Sequence, residues 1–504
     1  MKNILEMLEN SAKLYPDKTA FKDNEKAITY KELLINSQKI GTALGSLKCQ
    51  NKPIAIYLDK SVATTEAMMG VVYSGNFYTI IDCEMPIERI KKIFETLKPV
   101  AIISEKKYLQ NTLQLGTENI FTIEVLKRYE VNEKLLKSVR DLQIDTDPLY
   151  TLYTSGSTGT PKGTVITHKN VLAYSEWVTQ TFNINSDSII GNQTPFYFSM
   201  SVTDIYSTVL SGATMIIIPK MYFSFPVKLI EYLNENMVNT IYWVPSAYGI
   251  ISNSKAFEVN KPKYLKTAMF AGEVMPIKYL NYWIDNLPDN IIYANLYGPT
   301  ETTDICSYYV VDRKFNDNES LPIGKHCDNC NVFAINDKNK LADINEEGEL
   351  YVRGSFLAQG YYNDTANTQK AFVQNPLNDA YPENCYKTGD LVKLNENNEL
   401  IYICRKDYQI KHMGYRIELG EIEAAALSID KISECAAIYD EQSDKIILYY
   451  SGHIKDENII FNELKGKLTS YMMPNKLIKL SALPHNQNGK IDRKTLKQNY
   501  NKKG

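Results

Sequence analysis

The sequence predicts an α/β protein of at least two domains, and three observations carry that reading. Over the first 400 residues, short β-branched or aromatic runs alternate with longer amphipathic stretches, the pattern of strands joined by helices in partly parallel sheets. At 504 residues the chain exceeds the roughly 250–300 at which one hydrophobic core stops growing. From about Gly348 the texture changes to short alternating strands separated by turn residues.

Taken in order, Pro53-Ile-Ala-Ile-Tyr-Leu58 reads as a buried strand, followed by helical apolar spacing over 61–73 and 86–97. Val100-Ala-Ile-Ile-Ser104, Thr214-Met-Ile-Ile-Ile-Pro219 and Asn239-Thr-Ile-Tyr-Trp-Val244 are short apolar runs of the same kind. Gly348-Glu-Leu-Tyr-Val-Arg-Gly354 and Glu399-Leu-Ile-Tyr-Ile403 alternate polar with apolar residues, as half-buried strands do. After Arg405 comes a compact stretch with a helix near 419–427, a strand at Lys445-Ile-Ile-Leu-Tyr-Tyr450 and a helix near 458–468. The domain boundary is placed near 405–408, giving a large domain, 1–405, and a small α+β domain, 406–504.

Composition narrows the function classes. With 56 basic and 59 acidic residues the formal charge is -3, too little field to hold a polyanion, so neither nucleic acid nor an acidic membrane surface is expected as a partner. Acidic residues interrupt the N-terminus before any apolar signal core, and no 18-residue apolar run follows, which predicts a soluble, cytoplasmic protein. Eight scattered cysteines in such a compartment are expected to stay reduced. Cys327-Asp-Asn-Cys330 has the spacing of half a zinc site, but no second pair lies at finger distance, so it reads as an ordinary loop.

The densest chemical signal is Leu152-Tyr-Thr-Ser-Gly-Ser-Thr-Gly-Thr-Pro-Lys-Gly163. Gly156, Gly159 and Gly163 let backbone N–H groups turn inward, while Thr154, Ser155, Ser157 and Thr158 add hydroxyl donors and Lys162 a charge, a composition suited to phosphate oxygens. It is not a P-loop of the Gly-Lys-Ser/Thr kind, because Pro161 precedes Lys162 and Gly163 follows it.

With this loop the sequence resembles the adenylate-forming enzymes, which include acyl-CoA ligases, luciferases and the adenylation domains of nonribosomal peptide synthetases. The resemblance extends in order through Tyr297-Gly-Pro-Thr-Glu-Thr-Thr303, Tyr386-Lys-Thr-Gly-Asp390, Arg405-Lys-Asp-Tyr-Gln-Ile-Lys-His-Met-Gly-Tyr-Arg-Ile-Glu418 and Asn488-Gly-Lys-Ile-Asp-Arg-Lys494, and so covers nearly the whole chain. Ser74-Gly-Asn-Phe-Tyr-Thr-Ile-Ile-Asp82 and Asn192-Gln-Thr-Pro-Phe196 are most similar to stand-alone D-alanine–carrier protein ligases and other amino-acid-adenylating domains.

The resemblance implies a large adenylate-forming domain of packed α/β subdomains and a small mobile C-terminal domain. It implies ATP and Mg²⁺ and a reaction joining a carboxylate to the α-phosphate, where positioned cations and donors carry catalysis. By resemblance Thr154, Ser155, Gly156, Ser157, Thr158 and Lys162 close over the β- and γ-phosphates, and Tyr297 stacks on adenine. Thr300 touches the α-phosphate, Glu301 binds the metal, and Asp390 takes the ribose hydroxyls with help from Arg405. Lys490 is the expected catalytic lysine, bridging carboxylate and α-phosphate. Asp407 is the expected hinge, about which the small domain swings to bring the loop 411–414 against the site for thiol attack. Cys404 departs from the Gly usual before the arginine. No Leu-Gly-Gly-x-Ser segment of the phosphopantetheine-carrying type is present, so the acceptor is expected to be a separate carrier protein, with free coenzyme A as the alternative.

The acid pocket departs from the amino-acid-activating pattern. Those relatives place an aspartate in Phe-Asp-x-Ser-Val to hold the α-ammonium, whereas this chain has Phe198-Ser-Met-Ser-Val202, and Ser199 cannot balance a buried charge. Ala271 stands before Gly272-Glu273 where the D-alanine ligases carry a bulkier cysteine. The expectation is therefore a small aryl acid such as benzoate, anthranilate or hydroxyanthranilate, its ring lying among Phe198, Trp243 and Tyr248, with D-alanine as the alternative. The segment Pro195-Phe-Tyr-Phe-Ser199 lacks the histidines of the luciferase and fatty acyl relatives.

Overall fold

The computed structural model describes residues 1–156, 160–316, 319–406, 409–430, 432–454, 456–485 and 491–501. The chain packs as two compact units, one of residues 1–83, 97–152 and 163–406, the other of 84–96, 153–162 and 407–504.

Among the described residues, the first unit is built on large sheets whose centres are parallel, as the alternation of short apolar strands with helices predicts. In the nine-stranded sheet, six parallel strands run in the order Ile292–Tyr297, Thr267–Phe270, Thr240–Trp243, Ile189–Asn192, Thr214–Ile217 and Thr19–Lys22, with antiparallel strands at both edges. The six-stranded sheet centres on Pro53–Tyr57, every residue of which is buried, flanked by Phe77–Ile80 and Ala101–Ser104. Helices cover these sheets and one continuous core joins them, from Ile4 through Trp283 to Leu400. The helix Tyr30–Leu44 starts at a reciprocal cap in which Thr29 and Glu32 satisfy each other's backbone N–H groups. A five-stranded antiparallel sheet follows, in which Asn384–Leu394 pairs with Glu347–Gly354 on one side and Leu400–Arg405 on the other.

The second unit carries its own core, where Ile417, Ile422, Leu448, Ile460, Leu464 and Met472 are buried between the helices Leu419–Leu427 and Glu457–Lys465 and the sheet of Ile432–Asp440, Lys445–Gly452 and Lys476–Lys479. It also gathers 84–96 and 153–162, which the sequence reading assigned to the large domain. Three contacts inside this unit give the reason. Arg89 forms a buried ion pair with Glu421, and the Ser155 hydroxyl donates to the carbonyl of Arg416 at 2.7 Å while accepting from the N–H of Glu418 at 3.0 Å. The expected hinge residue Asp407 lies outside the described residues.

Cys327 and Cys330 are buried, and burial pushes both thiols up, Cys330 to about 12, which suits packing rather than reactivity.

Candidate active site

Tyr297 closes its strand, and Pro299, which has no N–H to donate, precedes the short 3₁₀ turn Thr300–Thr302. Asp390 lies in Asn384–Leu394, opposite Arg405 in the antiparallel register, so strand pairing alone puts these two side chains together. Arg405 Nη1 is 3.1 Å from Asp390 Oδ1 and also donates to the carbonyl of Thr388 at 2.9 Å. The Tyr297 hydroxyl donates to the other carboxylate oxygen, Asp390 Oδ2. Burial, reinforced by the Asp390 charge, pushes that hydroxyl well above its usual range and keeps it a donor. Three motifs distant in sequence thus meet at one buried carboxylate beside an aromatic ring.

The turn after Tyr297 builds a second cluster. Glu301 is buried, and the hydroxyl of Tyr361 donates to its Oε1 at 2.6 Å. Thr303 adopts φ 71° and ψ -59°, and the N–H of Asp304 donates to the carbonyl of Thr302 at 2.8 Å, the rare strained form of γ-turn. For a β-branched residue this conformation costs on the order of 1–3 kcal/mol, and the Thr303 hydroxyl, which donates to the carbonyl of Phe356 at 2.8 Å, helps to hold it. Gly298 is required close by, since a Cβ there would lie 2.2 Å from the carbonyl oxygen of Asp304.

The strained turn sends the Asp304 carboxylate inward. Its Oδ2 accepts hydrogen bonds from Thr203 at 2.6 Å, Tyr174 at 3.0 Å and Tyr242 at 3.2 Å. Nearby, Asn192 Nδ2 donates to Asp204 Oδ2 at 2.7 Å, and Lys60 Nζ donates to Asn192 Oδ1 at 3.2 Å and to the carbonyl of Gln193 at 3.0 Å. Burial drives the Asp204 carboxyl up to about 8, with the Asp304 charge adding to it and Asn192 and Lys60 opposing. Burial likewise draws the Lys60 amine down to about 7 against the pull of Asp204.

Among the residues expected to hold the acid, Ser199 stands at the N-cap position of the helix Met200–Ser211 without a side-chain capping bond, and Thr300 Oγ1 donates to its hydroxyl at 3.4 Å. Phe198 is half-buried, with its ring 4.9 Å from that of Tyr197. Ala271 is buried two residues beyond Met269, which pairs in register with Tyr242, so period-two alternation puts Ala271 on the Tyr242 face. Gly272 follows at φ +92°, a conformation that favours glycine. Trp243 does not join them. It points to the opposite face of the sheet from Tyr242, its indole N–H donates to the carbonyl of Gly191 at 2.8 Å, and its ring packs edge-on against Phe223 and Tyr248. Trp243 and Tyr248 are core residues of that other face rather than partners of Asp304 and Ala271.

In the second unit, Thr154 ends the strand Pro148–Thr154, and Gly156 passes so close to Thr160 that a Cβ would lie 2.0 Å from its carbonyl oxygen. Lys162 opens the strand Lys162–Thr167. Ser157, Thr158 and Lys490 lie outside the described residues. Tyr361, Asp304 and Lys60 were missed by the sequence analysis. The available signal for Asp304 was an acid set between Thr303 and the apolar Ile305 and Cys306, where no turn composition calls for one.

A profile of the AMP-binding enzyme family matches residues 8–362. The D-alanine–D-alanyl carrier protein ligase of Bacillus licheniformis is 30% identical over 518 residues, covering 98% of this chain and 99% of that one. Tyrocidine synthase 1 of Brevibacillus parabrevis is 30% identical over 502 residues, and there the chain spans only 45% of the relative's length. A crystal structure of the Vibrio cholerae adenylation domain AlmE in complex with glycyl-adenosine-5'-phosphate superposes with a TM-score of 0.85 at 21% identity, over 99% of this chain and 98% of that one, which establishes the common fold. With the match spanning most of its length, the chain belongs to the AMP-binding enzyme family.

Proposed function

We propose that the chain activates a small carboxylic acid with ATP, releasing pyrophosphate and leaving an acyl-adenylate, and then passes the acyl group to the phosphopantetheine thiol of a separate carrier protein. The observation that carries this reading is the meeting of Tyr297, Asp390 and Arg405 at one carboxylate. A buried carboxylate held in place from a neighbouring strand is suited to accept both hydroxyls of a ribose, and the ring of Tyr297 offers a face for the base. Arg405 acts through Asp390, fixing its orientation.

In the first half-reaction a carboxylate oxygen of the acid attacks the α-phosphorus and pyrophosphate departs with the bonding electrons. Thr300 is assigned to the α-phosphate oxygens. The backbone and hydroxyls of 154–158, with Lys162, are assigned to the leaving phosphates, and Lys490 bridges the two reactants. Glu301, a buried hard oxygen donor oriented by Tyr361, would hold Mg²⁺. That ion, when bound, offsets charge on the phosphate oxygens. In the second half-reaction the thiol sulfur attacks the acyl carbon, AMP leaves with the oxygen it gained, and the thiol proton passes to solvent. The hinge role of Asp407 belongs to the change between these halves. Similarity along the full length of a carrier-protein ligase supports a carrier protein as acceptor over free coenzyme A. Use of ATP as co-substrate suits a cytoplasmic location; among the described residues no helix is long and apolar enough to cross a membrane.

Ser199, beside Thr300, supplies no charge partner for an α-ammonium next to the reacting carboxyl. This favours an acid without one, an aryl acid such as anthranilate, hydroxyanthranilate or benzoate being the first reading. D-alanine is the second, supported by the similarity to D-alanine ligases. ATP–pyrophosphate exchange over a panel of acids tests the reaction class. Acid-dependent exchange supports it, and exchange with no acid in the panel overturns it.

A further inference from the structure

Behind Ser199 lies a buried polar seam that includes Thr203, Asp204 and Asp304. Ser199 touches Thr300, so on the reading that assigns Thr300 to the α-phosphate the reacting carboxyl belongs at this end of the helix Met200–Ser211. Thr203 is four residues further on, which along a helix is ~6 Å and one turn deeper. It is there that Asp304 is anchored, by the hydroxyls of Thr203, Tyr174 and Tyr242. Two more buried polar atoms of this region, Asp204 Oδ1 and the hydroxyl of Tyr150, have no hydrogen-bond partner in the structure. Asp204 adjoins Thr203, which holds Asp304, and the Tyr150 ring lies 5.6 Å from that of Tyr78, whose hydroxyl is 2.7 Å from the hydroxyl of Tyr206 on the same helix. Buried polar atoms left without partners are costly, and a flat hydrocarbon ring beside them would supply none.

We propose that Asp304 selects the substrate by binding an ammonium group set back from the reacting carboxyl, which makes the acid an ω-amino acid of the β-alanine or 4-aminobutyrate kind. An ammonium carries three N–H donors, and the Asp304 carboxylate, Asp204 Oδ1 and the Tyr150 oxygen are the acceptors it meets. The amine at this depth explains why Ser199 suffices at the reacting end, where an α-ammonium would need a carboxylate. It also explains why the chain keeps a strained γ-turn at Thr303, since that turn is what sends Asp304 inward. This inference rests on the adenylating reading given above and narrows its acid without an α-ammonium to an aliphatic ω-amino acid.

The test is ATP–pyrophosphate exchange by the full chain with β-alanine and 4-aminobutyrate, their amine-free counterparts propionate and butyrate, and D-alanine, anthranilate and benzoate. An ω-amino acid is expected to exceed its amine-free counterpart in kcat/KM by roughly 100-fold or more, the effect of a buried charge-assisted bond. Asp304→Asn is expected to erase that ratio, chiefly through KM. In case this variant folds poorly, calorimetric titration of the unmodified chain with 4-aminobutyryl- and butyryl-sulfamoyl-adenosine gives the same ratio as a difference in Kd. Preference for anthranilate, benzoate or D-alanine, or equal Kd for the two analogues, overturns the role of Asp304 and leaves the adenylating reading standing. Exchange with none of the acids removes that reading and the inference with it.

Discussion

The hydroxyl of Tyr361 donates to Oε1 of Glu301 at 2.6 Å, with both side chains buried. Tyr361 is itself tied down by its N–H, which donates to Thr368 Oγ1 at 2.9 Å, and by a bridge to Thr164. A tyrosine outside every recognised motif therefore orients the carboxylate assigned to the metal. Tyr361→Phe removes that donor. It is expected to raise the Mg²⁺ concentration needed for half-maximal exchange several-fold, while lowering stability by only about 1 kcal/mol. An unchanged Mg²⁺ dependence would show that Tyr361 serves packing alone.

Asp390→Asn keeps the shape of the side chain but removes its charge and one acceptor for the ribose. The KM for ATP is expected to rise by roughly 10- to 100-fold, with the KM for the acid nearly unchanged. Arg405→Lys keeps the charge but loses the planar fork and should fall between the variant and the unmodified chain. Equal effects on both KM values would mean that Asp390 holds the fold rather than the nucleotide.

Much of this arrangement was legible in the sequence because it depends on local pattern. Asp390 and Arg405 sit on strands joined by a short turn, so alternation and motif order together anticipate their pairing. Tyr361 and Glu301 approach from segments sixty residues apart, and nothing in the composition of either announces the other. Trp243 shows a different limit. It lies in a strand read correctly as buried, but its neighbour Tyr242 has the opposite facing, and register alone decides which of the two meets Asp304. Residues 84–96 and 153–162 were assigned by their place along the chain, whereas a buried ion pair and two hydrogen bonds of Ser155 group them with the second unit.

Acid should weaken the first unit through His168. This imidazole is buried at the start of the helix His168–Thr181, where burial, with the charge of Arg140 adding, lowers its pKa to about 3. A folded pKa below the unfolded value of roughly 6.5 means that its contribution is complete above that pH and is lost as pH falls toward 3. The expected slope is about 1.4 kcal/mol per pH unit at most, and His168→Gln should remove that part of it. Urea midpoints at pH 7 and pH 5 check this, and parallel acid losses in both proteins would exclude His168 as a source.

Lys490→Ala should suppress adenylate formation by roughly 10²- to 10³-fold while leaving thiol attack on preformed acyl-adenylate largely intact. Single-turnover measurements of each half separate the two. Equal loss in both halves would remove the assignment of Lys490 to the first step alone.

The central claim is that a carboxylate oxygen attacks the α-phosphorus of ATP. Supplying the acid most active in exchange with ¹⁸O in its carboxyl group, together with ATP and a thiol acceptor, and weighing the AMP released, tests it most directly. AMP carrying one labelled oxygen is the predicted result. Unlabelled AMP, or ADP with the label in inorganic phosphate, would contradict it.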